Sequence, residues 1–404
     1  MNCSRHALVP ALVVLTACGD AAPAGMTRET LPDGRVRVVY AAGLPVREDT
    51  VIGEVRIGRL DGSDEESFGD IRGMEVDADG QIYLLDYQAS EIRVFGADGG
   101  YLRTITTRGE GPGEISRANG IAFDQEGRLW VNDHGKRALL LLDRGGKELA
   151  RHPAIVPGFH YLWSAVIDTA GTIWESWNHS VQREANDPQG TGVIEGENRE
   201  YFKSFSPASG GYDSIPIGTM SYRVFRAVHA NGSWGSSIPF APEFSVSIDR
   251  YRRPWVAATG EYLLTRIGEY GDTTLELRVT TAPIPVTSED IAVWRDGNKN
   301  IAARVPGAID AVEKLIPEVK PLLTSVHTDE LSRLWVGRTT PTGESPLFDV
   351  FSPDAEYLGS VRLVPGAALG HQPLVRGDRI LMLVVGEQGD QAVVVGRLPG
   401  TLRR

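Results

Sequence analysis

The stretch Asp-Ala-Asp-Gly-Gln-Ile-Tyr at residues 77–83 decides the fold, because the chain repeats it. Further copies at residues 124–130 and 168–174 keep the same order: Asp, two residues, Gly, one residue, an aliphatic residue and an aromatic residue. In a turn, an Asp side chain bonds the backbone beyond it, and a Gly accepts a positive φ without steric cost. The pattern therefore predicts a tight turn that leads into a buried strand.

Weaker copies continue the series toward the C-terminus. One begins at Asp249 and lacks the Gly, one begins at Asp329 and has Ser332 in its place, and a sixth lies at residues 376–381. An apolar, alternating segment precedes the copies, and further strand-like segments follow at short intervals. One repeat is thus predicted to be a four-stranded antiparallel meander of about 40–47 residues, which is the size of a propeller blade.

The copy at residues 77–86, followed by Ile-Arg-Val-Phe at 92–95, resembles a diagnostic NHL repeat. The segment 108–114 resembles the loop between blades of bacterial six-bladed propeller lipoproteins. The resemblance implies an all-β chain with a six-bladed β-propeller over residues 51–404. It specifies a scaffold and no particular reaction.

The repeat spacing predicts insertions. The five Asp residues that open the copies are separated by 47, 44, 81 and 80 residues. Within the first long interval, residues of about 180–200 are polar and rich in turn formers, which predicts a long loop. Within the second, residues of about 287–320 carry helix signals, beginning with Ser-Glu-Asp at 288–290, and predict a small helical insertion.

The N-terminus has the pattern of an export signal. Residues 1–17 contain an apolar run that is too short to span a bilayer but suits a signal peptide. The run ends in Leu-Thr-Ala-Cys, which resembles the lipobox of bacterial lipoproteins and implies lipidation of Cys18 after cleavage. Ordinary secretory cleavage after an Ala is the alternative.

A tether is predicted to follow the anchor. Residues 18–50 are rich in Ala, Gly, Pro and charge, with one candidate strand at 35–40. Gly19, rather than an Asp, follows the Cys, which favours the outer membrane over the inner. We therefore expect a lipid-anchored protein of the bacterial cell envelope, with its folded domain outside the cytoplasm.

Composition excludes several classes of function. The chain has 404 residues and a formal net charge of −12, which disfavours nucleic-acid binding. Its two Cys residues both lie within the first 18 positions, so the body has neither disulfides nor thiolate metal sites. The chain also lacks a Gly-x-Ser-x-Gly nucleophile elbow.

Two repeated features each have a structural and a functional interpretation. The aromatic residue of each copy can fill the space between blades or stack on a ligand, and we predict core packing. The opening Asp can stabilise its turn or bind calcium. We predict turn stabilisation, because the full spacing of a calcium loop is absent.

Histidines and polar residues at one face of the predicted disc form the candidate site. Loops that precede the first strand or follow the second strand of a repeat lie on this face, and imidazoles on separate blades can converge on a metal or act as a base. The alternative is that these loop residues are solvated. The candidate metal ligands, for zinc or calcium, are His160 and His371, and the candidate ligand-binding residues are Arg72, Asp86, Asn119, Asp133, His134 and His179.

Two functions are compatible with these features. The first is a lipid-anchored binding or scaffold propeller that holds a protein, peptide or glycan partner and touches the membrane only through its lipid. The second is a metal-dependent hydrolase or lyase with its site at the central mouth of the propeller.

Overall fold

The computed structural model describes residues 25–156, 161–182, 190–229, 232–368 and 370–403. Its N-terminal part consists of four strands and a short 3-10 helix, Asp64–Glu66. The strands are β1 (Met26–Thr30), β2 (Val36–Tyr40), β3 (Glu48–Thr50) and β4 (Gly53–Ile57).

Three sheets follow in chain order, and we call them blades 1 to 3. Blade 1 consists of β5 (Ile71–Val76), β6 (Ile82–Asp86), β7 (Glu91–Phe95) and β8 (Tyr101–Thr106). Blade 2 consists of β9 (Ala118–Phe123), β10 (Leu129–Asp133), β11 (Ala138–Leu142) and β12 (Glu148–Pro153). Blade 3 consists of β13 (Val166–Ile167), β14 (Ile173–Gln182), β15 (Gly192–Ser206), β16 (Gly211–His229) and β17 (Gly232–Ser237).

Blade 4 and a helical insertion come next. Blade 4 consists of β18 (Phe244–Ile248), β19 (Pro254–Ala258), β20 (Leu263–Ile267) and β21 (Thr273–Val279). The insertion consists of β22 (Ile284–Pro285), α1 (Ser288–Gly297), α2 (Lys299–Arg304), α3 (Ala308–Glu313) and β23 (Val319–Lys320).

Two further blades end the chain. Blade 5 consists of β24 (Leu323–Thr328), β25 (Leu334–Arg338), β26 (Leu347–Phe351) and β27 (Tyr357–Arg362). Blade 6 consists of β28 (Leu374–Arg376), β29 (Arg379–Val385) and β30 (Gln391–Arg397), and the 3-10 helix Gly400–Leu402 follows it.

The N-terminal strands complete three blades from outside. Strand β4 pairs with β30 as the fourth strand of blade 6, so one blade holds segments from both ends of the chain. The β1–β2 hairpin joins blade 4 through parallel pairing of β2 with β21, and β3 joins β27 of blade 5. The prediction of a tether over residues 18–50 is therefore wrong for residues 26–50. The candidate strand at 35–40 is confirmed as β2, whose buried Val38 and Tyr40 pack into the core.

Six hydrophobic cores hold the ring together, one between each pair of neighbouring blades. Side chains alternate across a strand, so both faces of a blade can be buried. In β6, Ile82 and Leu84 enter the core shared with blade 6, whereas Tyr83 and Leu85 enter the core shared with blade 2. The chain is thus an all-β, six-bladed β-propeller with a small helical insertion.

The repeated aromatic residues are confirmed as core residues. Each is at most 3% exposed, and the set comprises Tyr83, Trp130, Trp174, Trp255 and Trp335. In four of them, the ring N–H or O–H also donates a hydrogen bond to the carboxylate of the Asp that opens the copy. In blade 3, for example, the Trp174 indole N–H donates to Asp168 Oδ2 over 2.9 Å.

The opening Asp residues are confirmed as turn residues. In blade 3, Asp168 Oδ1 accepts the backbone N–H groups of Ala170 and Thr172, at 2.8 and 2.9 Å. The same two backbone bonds recur at the other four copies. One carboxylate therefore closes the turn with one oxygen and, in four blades, anchors the core aromatic with the other.

The two insertions pack on each other and form an accessory lobe, which comprises residues 190–229, 232–237 and 284–320. Its core contains Phe225 and Ala227 of β16 with Val305, Ala308 and Val312 of the helical insertion. The predicted helical insertion is confirmed as three helices.

Within the range predicted as a loop, about 180–200, residues 180–182 belong to β14 and residues 192–200 to β15, so the prediction is wrong for these two stretches. Residues 183–189 lie outside the described residues. A hairpin that projects into solvent needs few apolar residues, so its sequence looks like that of a loop.

Replacing Asp124 by Ala should lower the free energy of unfolding by about 2–4 kcal/mol, because buried donors of the turn and of Trp130 lose their acceptor. In the same turn, the Glu126 side chain is 66% exposed, so Glu126→Ala is the matched control and should change this energy by less than about 0.5 kcal/mol. Urea denaturation measures both, and equal midpoints for the two variants would refute the assigned role of Asp124.

Replacing Ser332 by Gly should stabilise the protein by about 0.5–1 kcal/mol. Ser332 is buried at a φ of 60°, where an L-residue is strained and Gly is not. The reverse change at the equivalent position, Gly80→Ser at a φ of 78°, should cost a similar amount. Thermal or urea unfolding tests the pair, and a loss of stability in Ser332→Gly contradicts the expectation.

Candidate functional site

The first strands of the six blades surround an axial cavity of about 620 Å³. Each blade contributes at least one lining residue, and examples in blade order are Met74, Ile121, Val166, Val246, His327 and Leu374. We call the side of the disc with the Asp turns the turn face. The opposite side, where loops precede the first strands, is the mouth face.

At the turn face, polar contacts between turns join every pair of neighbouring blades. These contacts link Arg144 to Asp79, Gln125 to the Asp168 carbonyl, Thr169 to the Arg250 carbonyl, Arg250 to the Glu330 carbonyl, Gly377 to the Glu330 carboxylate, and Arg376 to Glu75. The last pair lines the cavity, with 2.9 Å between Arg376 Nη2 and Glu75 Oε1. Burial raises the pKa of Glu75, and Arg376 acts against that rise.

At the mouth face, Arg72 is held between two aromatic rings. Its guanidinium carbon lies 3.3 Å from the ring centroid of Tyr87 and 4.4 Å from that of Tyr161. The guanidinium also pairs with Asp70 over 2.8 Å, and the Tyr161 hydroxyl donates to the same carboxylate over 3.1 Å. Tyr161 precedes blade 3, so this cluster connects blade 3 to blade 1 across the mouth.

His371 reaches the same mouth from blade 6. Its ring lies edge-on to Tyr161 with 6.2 Å between centroids, and it lines the cavity. Its Nε2 is buried and makes no hydrogen bond within the described residues. Burial lowers the pKa of His371, and a hydrogen bond to the Ile71 backbone acts the other way. The imidazole is therefore neutral near pH 7, with one nitrogen available to a ligand.

Glu175 is a buried carboxyl group close to the mouth. It is 6% exposed, on strand β14 of blade 3. Burial raises its pKa to about 7, and the neighbouring Trp163 side chain offsets this rise only in part. A carboxyl group with this pKa exchanges a proton near neutrality, as a general acid or base must.

Two predicted ligand-binding residues serve the scaffold instead. Asp86 is 1% exposed, and its carboxylate accepts hydrogen bonds from backbone N–H groups before β5 and after β6, including those of Gly69 and Gln88. Asp133 has the same role in blade 2, where it accepts from Ser116 and other backbone groups. Their carboxylates are used by the backbone, so neither side chain is directed at the cavity.

The remaining predicted residues do not converge. Asn119 is buried and accepts a hydrogen bond from Asn132, and His134 is half-buried in the turn after β10. His179 is exposed and stacks on Trp177, with 5.2 Å between centroids. Cys18 and His160 lie outside the described residues. The structure therefore brings Arg72 and His371 to one mouth, whereas Asp86, Asp133, His134 and His179 do not line the axial cavity.

In the described ranges, no three His, Cys, Asp or Glu side chains come together as a metal site would require. His327 is buried between Trp335 and Phe348. Burial lowers its pKa to about 3.

Sequence reasoning missed Glu175, Tyr161 and Trp163. For Glu175 the signal was present in the sequence. The equivalent residue is apolar in the four other copies that open with Asp, where it is Leu84, Val131, Val256 or Val336.

Fold and cavity together define this chain as a six-bladed β-propeller. A family model described as DUF5128, a 6-bladed beta-propeller, matches residues 50–156. No curated protein matches the sequence.

Solved structures resemble this fold at low identity. A DUF4221 family member from Bacteroides vulgatus has a TM-score of 0.50 at 13% identity, covering 86% of this chain and 98% of that one. Virginiamycin B lyase from Staphylococcus aureus has a TM-score of 0.40 at 11% identity, with 85% and 98% covered. A gluconolactonase from Xanthomonas campestris has a TM-score of 0.41 at 13% identity, with 88% and 98% covered. At this identity the similarity concerns the fold alone.

Replacing Glu175 by Gln should change how stability depends on pH. The pKa of Glu175 is about 7 in the folded chain, above its ordinary value of 4.5. Between pH 4.5 and pH 7, Glu175 is therefore protonated in the folded chain but ionised in the unfolded chain. Stability therefore falls by about 3 kcal/mol as pH rises from 4.5 to 7 and then stays level.

The Glu175→Gln variant should lack this fall and be about 3 kcal/mol more stable than the native chain at pH 8. Urea unfolding at pH 4.5, 6 and 8 measures the effect, with Glu126→Gln as an exposed control. Parallel pH profiles for the native chain and Glu175→Gln would show that burial does not perturb this group.

Proposed function

We propose that this chain is a ligand-binding β-propeller of the bacterial cell envelope, with its site in the axial cavity. The observation that carries the proposal is the cavity itself, which six blades line and which opens beside Arg72, Tyr161 and His371. A mixed apolar and polar lining with a few convergent polar groups is typical of small-ligand sites. Glu75 with Arg376 at one end and His371 at the other supply such groups.

The cellular address is proposed from the sequence. The lipobox-like end of the signal supports lipidation of Cys18, and the repeat at 77–86 supports NHL-type blades. Within the described residues, no helix is long and apolar enough to cross a membrane. From the lipobox-like sequence and the negative net charge, we propose attachment through the lipid alone, with a protein, peptide or glycan as ligand and no nucleic acid.

Filling the cavity should abolish ligand binding. Ser247 lines the cavity, so Ser247→Phe occupies it, whereas Ser233→Phe adds the same group on an exposed strand of the accessory lobe. We expect at least one member of a panel of sugars, organic acids, amino acids and nucleosides to raise the melting temperature of the native chain and of Ser233→Phe, but not of Ser247→Phe. Equal shifts in all three proteins, or no shift with any compound, would contradict the proposal.

The second candidate is a metal-dependent hydrolase or lyase, and the unbonded Nε2 of His371 is the observation that favours it. A neutral imidazole with one free nitrogen can bind a divalent metal or accept a proton. Within the described residues, His371 is not part of a group of three or more potential metal donors, and His160 lies outside them.

Calorimetric titration with zinc tests this second candidate. Stoichiometric binding that is lost in His371→Ala but kept in His134→Ala supports it. No binding to the native chain removes it.

A further inference from the structure

Blade 3 differs from the other blades at its inner edge. Its first strand, β13, has two residues and pairs only with Ile173 and Trp174 of β14. From residue 175 onward, β14 has no partner in β13, and on this side the axial cavity is lined by residues 162–165, which precede β13. Ser176 lines both the axial cavity and a second cavity of about 910 Å³.

This second cavity, which we call the side groove, lies between the long strands of blade 3 and the start of blade 4. It shares Val246 as well as Ser176 with the axial cavity as lining residues, so the two cavities lie next to each other at these residues. A ligand that passes Ser176 and Val246 would occupy both.

Side chains of the groove present amide, hydroxyl and carboxylate groups. The lining includes Asn178, Asn198, Glu200, Ser221, Ser237 and Glu243. Asn178 and Glu200 are paired across β14 and β15, and burial raises the pKa of Glu200 while its bond to Asn178 opposes the rise. Amides and hydroxyls both donate and accept hydrogen bonds, and carboxylates accept them. Sugar hydroxyls, which also donate and accept, match this set.

An aromatic ring forms part of the groove. Tyr222 of β16 is directly opposite Gly196 of β15, and both line the groove. A β-carbon at position 196 would lie 2.6 Å from the Tyr222 hydroxyl and 2.7 Å from ring carbon Cζ. The ring therefore lies over the glycine backbone, an arrangement that only Gly permits. The C–H face of a pyranose can pack on such a ring as an apolar surface.

We propose that the side groove binds a linear oligosaccharide whose end occupies the axial cavity. This inference rests on the proposed function, because it extends the same site and names its ligand class. An extended peptide is the less suitable occupant. Peptides are recognised mainly through strand edges and apolar pockets, whereas most lining residues of this groove are polar, beside the aromatic residues Trp177, Tyr222 and Phe244.

Chain-length dependence tests the inference. Calorimetry would compare cellohexaose, maltohexaose, xylohexaose and chitohexaose with the disaccharide of each linkage. We expect one hexasaccharide to bind at least tenfold tighter than its disaccharide. In Tyr222→Ala this advantage should disappear, while affinity for the disaccharide in the axial cavity stays unchanged.

Tyr212→Ala is the matched control, because Tyr212 lies on the same strand, is 52% exposed and packs on Phe205 away from the groove lining. It should keep the tenfold advantage. Tyr222→Phe keeps the ring and should retain hexasaccharide affinity within about threefold. Asn198→Ala leaves the Tyr222 ring in place and should also weaken hexasaccharide binding. This second variant keeps the inference testable if Tyr222→Ala fails to fold.

Equal affinity for hexasaccharide and disaccharide, or no binding of any hexasaccharide, overturns the inference. So does binding of a ten-residue extended peptide with no response to any glycan. In each of these cases a thermal shift that Ser247→Phe abolishes would still support a site in the axial cavity, so failure of the inference is distinguishable from failure of the proposed function.

Discussion

A single carboxylate at the first turn of each strong repeat is the interaction on which the rest of the structure depends. One oxygen closes the turn by accepting two backbone N–H groups, as Asp168 does for Ala170 and Thr172. In four of the five copies, the other oxygen accepts a hydrogen bond from the ring N–H or O–H of the aromatic residue six positions later. Turn and core are thereby coupled, because the same side chain satisfies the buried donor that a Trp or Tyr brings into the interior.

The fifth copy shows that the constraint lies in the geometry of the turn more than in its sequence. Asp249 keeps both backbone bonds, and its second oxygen accepts the Arg253 guanidinium in place of the indole. Arg252 occupies the Gly position at a φ of 61°. The ring holds such strained positions because a core on each side of every blade fixes where its turn must lie.

The site arises where blade 3 departs from the repeat. A complete first strand would pair with β14 beyond Trp174, whereas the two-residue β13 leaves Ser176 in the lining of both the axial cavity and the side groove. The same blade extends into the accessory lobe, so loss of the inner strand and growth of the outer hairpin together form the groove walls. Variation is thus concentrated in one blade, while five ordinary blades, the turn-face contacts and strand β4 maintain the ring.

Sequence reasoning predicted the candidate site only in part. His371 and Arg72 line the axial cavity, because the order of strands and loops decides which face a residue occupies, and their roles in binding stay predictions. Asp86 and Asp133 were placed on the same face, but backbone groups of neighbouring loops occupy their carboxylates. Glu175 shows the opposite error: a Glu where other copies have Leu or Val was visible, yet its environment depends on Trp163 from a different segment.

The sequence by itself determined the repeat, the number of blades, the buried aromatic residues and the presence of the helical insertion. These depend on bonds and periodicities that span only a few residues, so a short stretch contains all the partners it needs. Only the tertiary structure decided that the two insertions form one lobe, that residues 26–50 join blades 4 and 5, and that a side groove lies next to the axial cavity. These depend on contacts between segments far apart in the chain, and no local pattern encodes which distant surface a segment will meet.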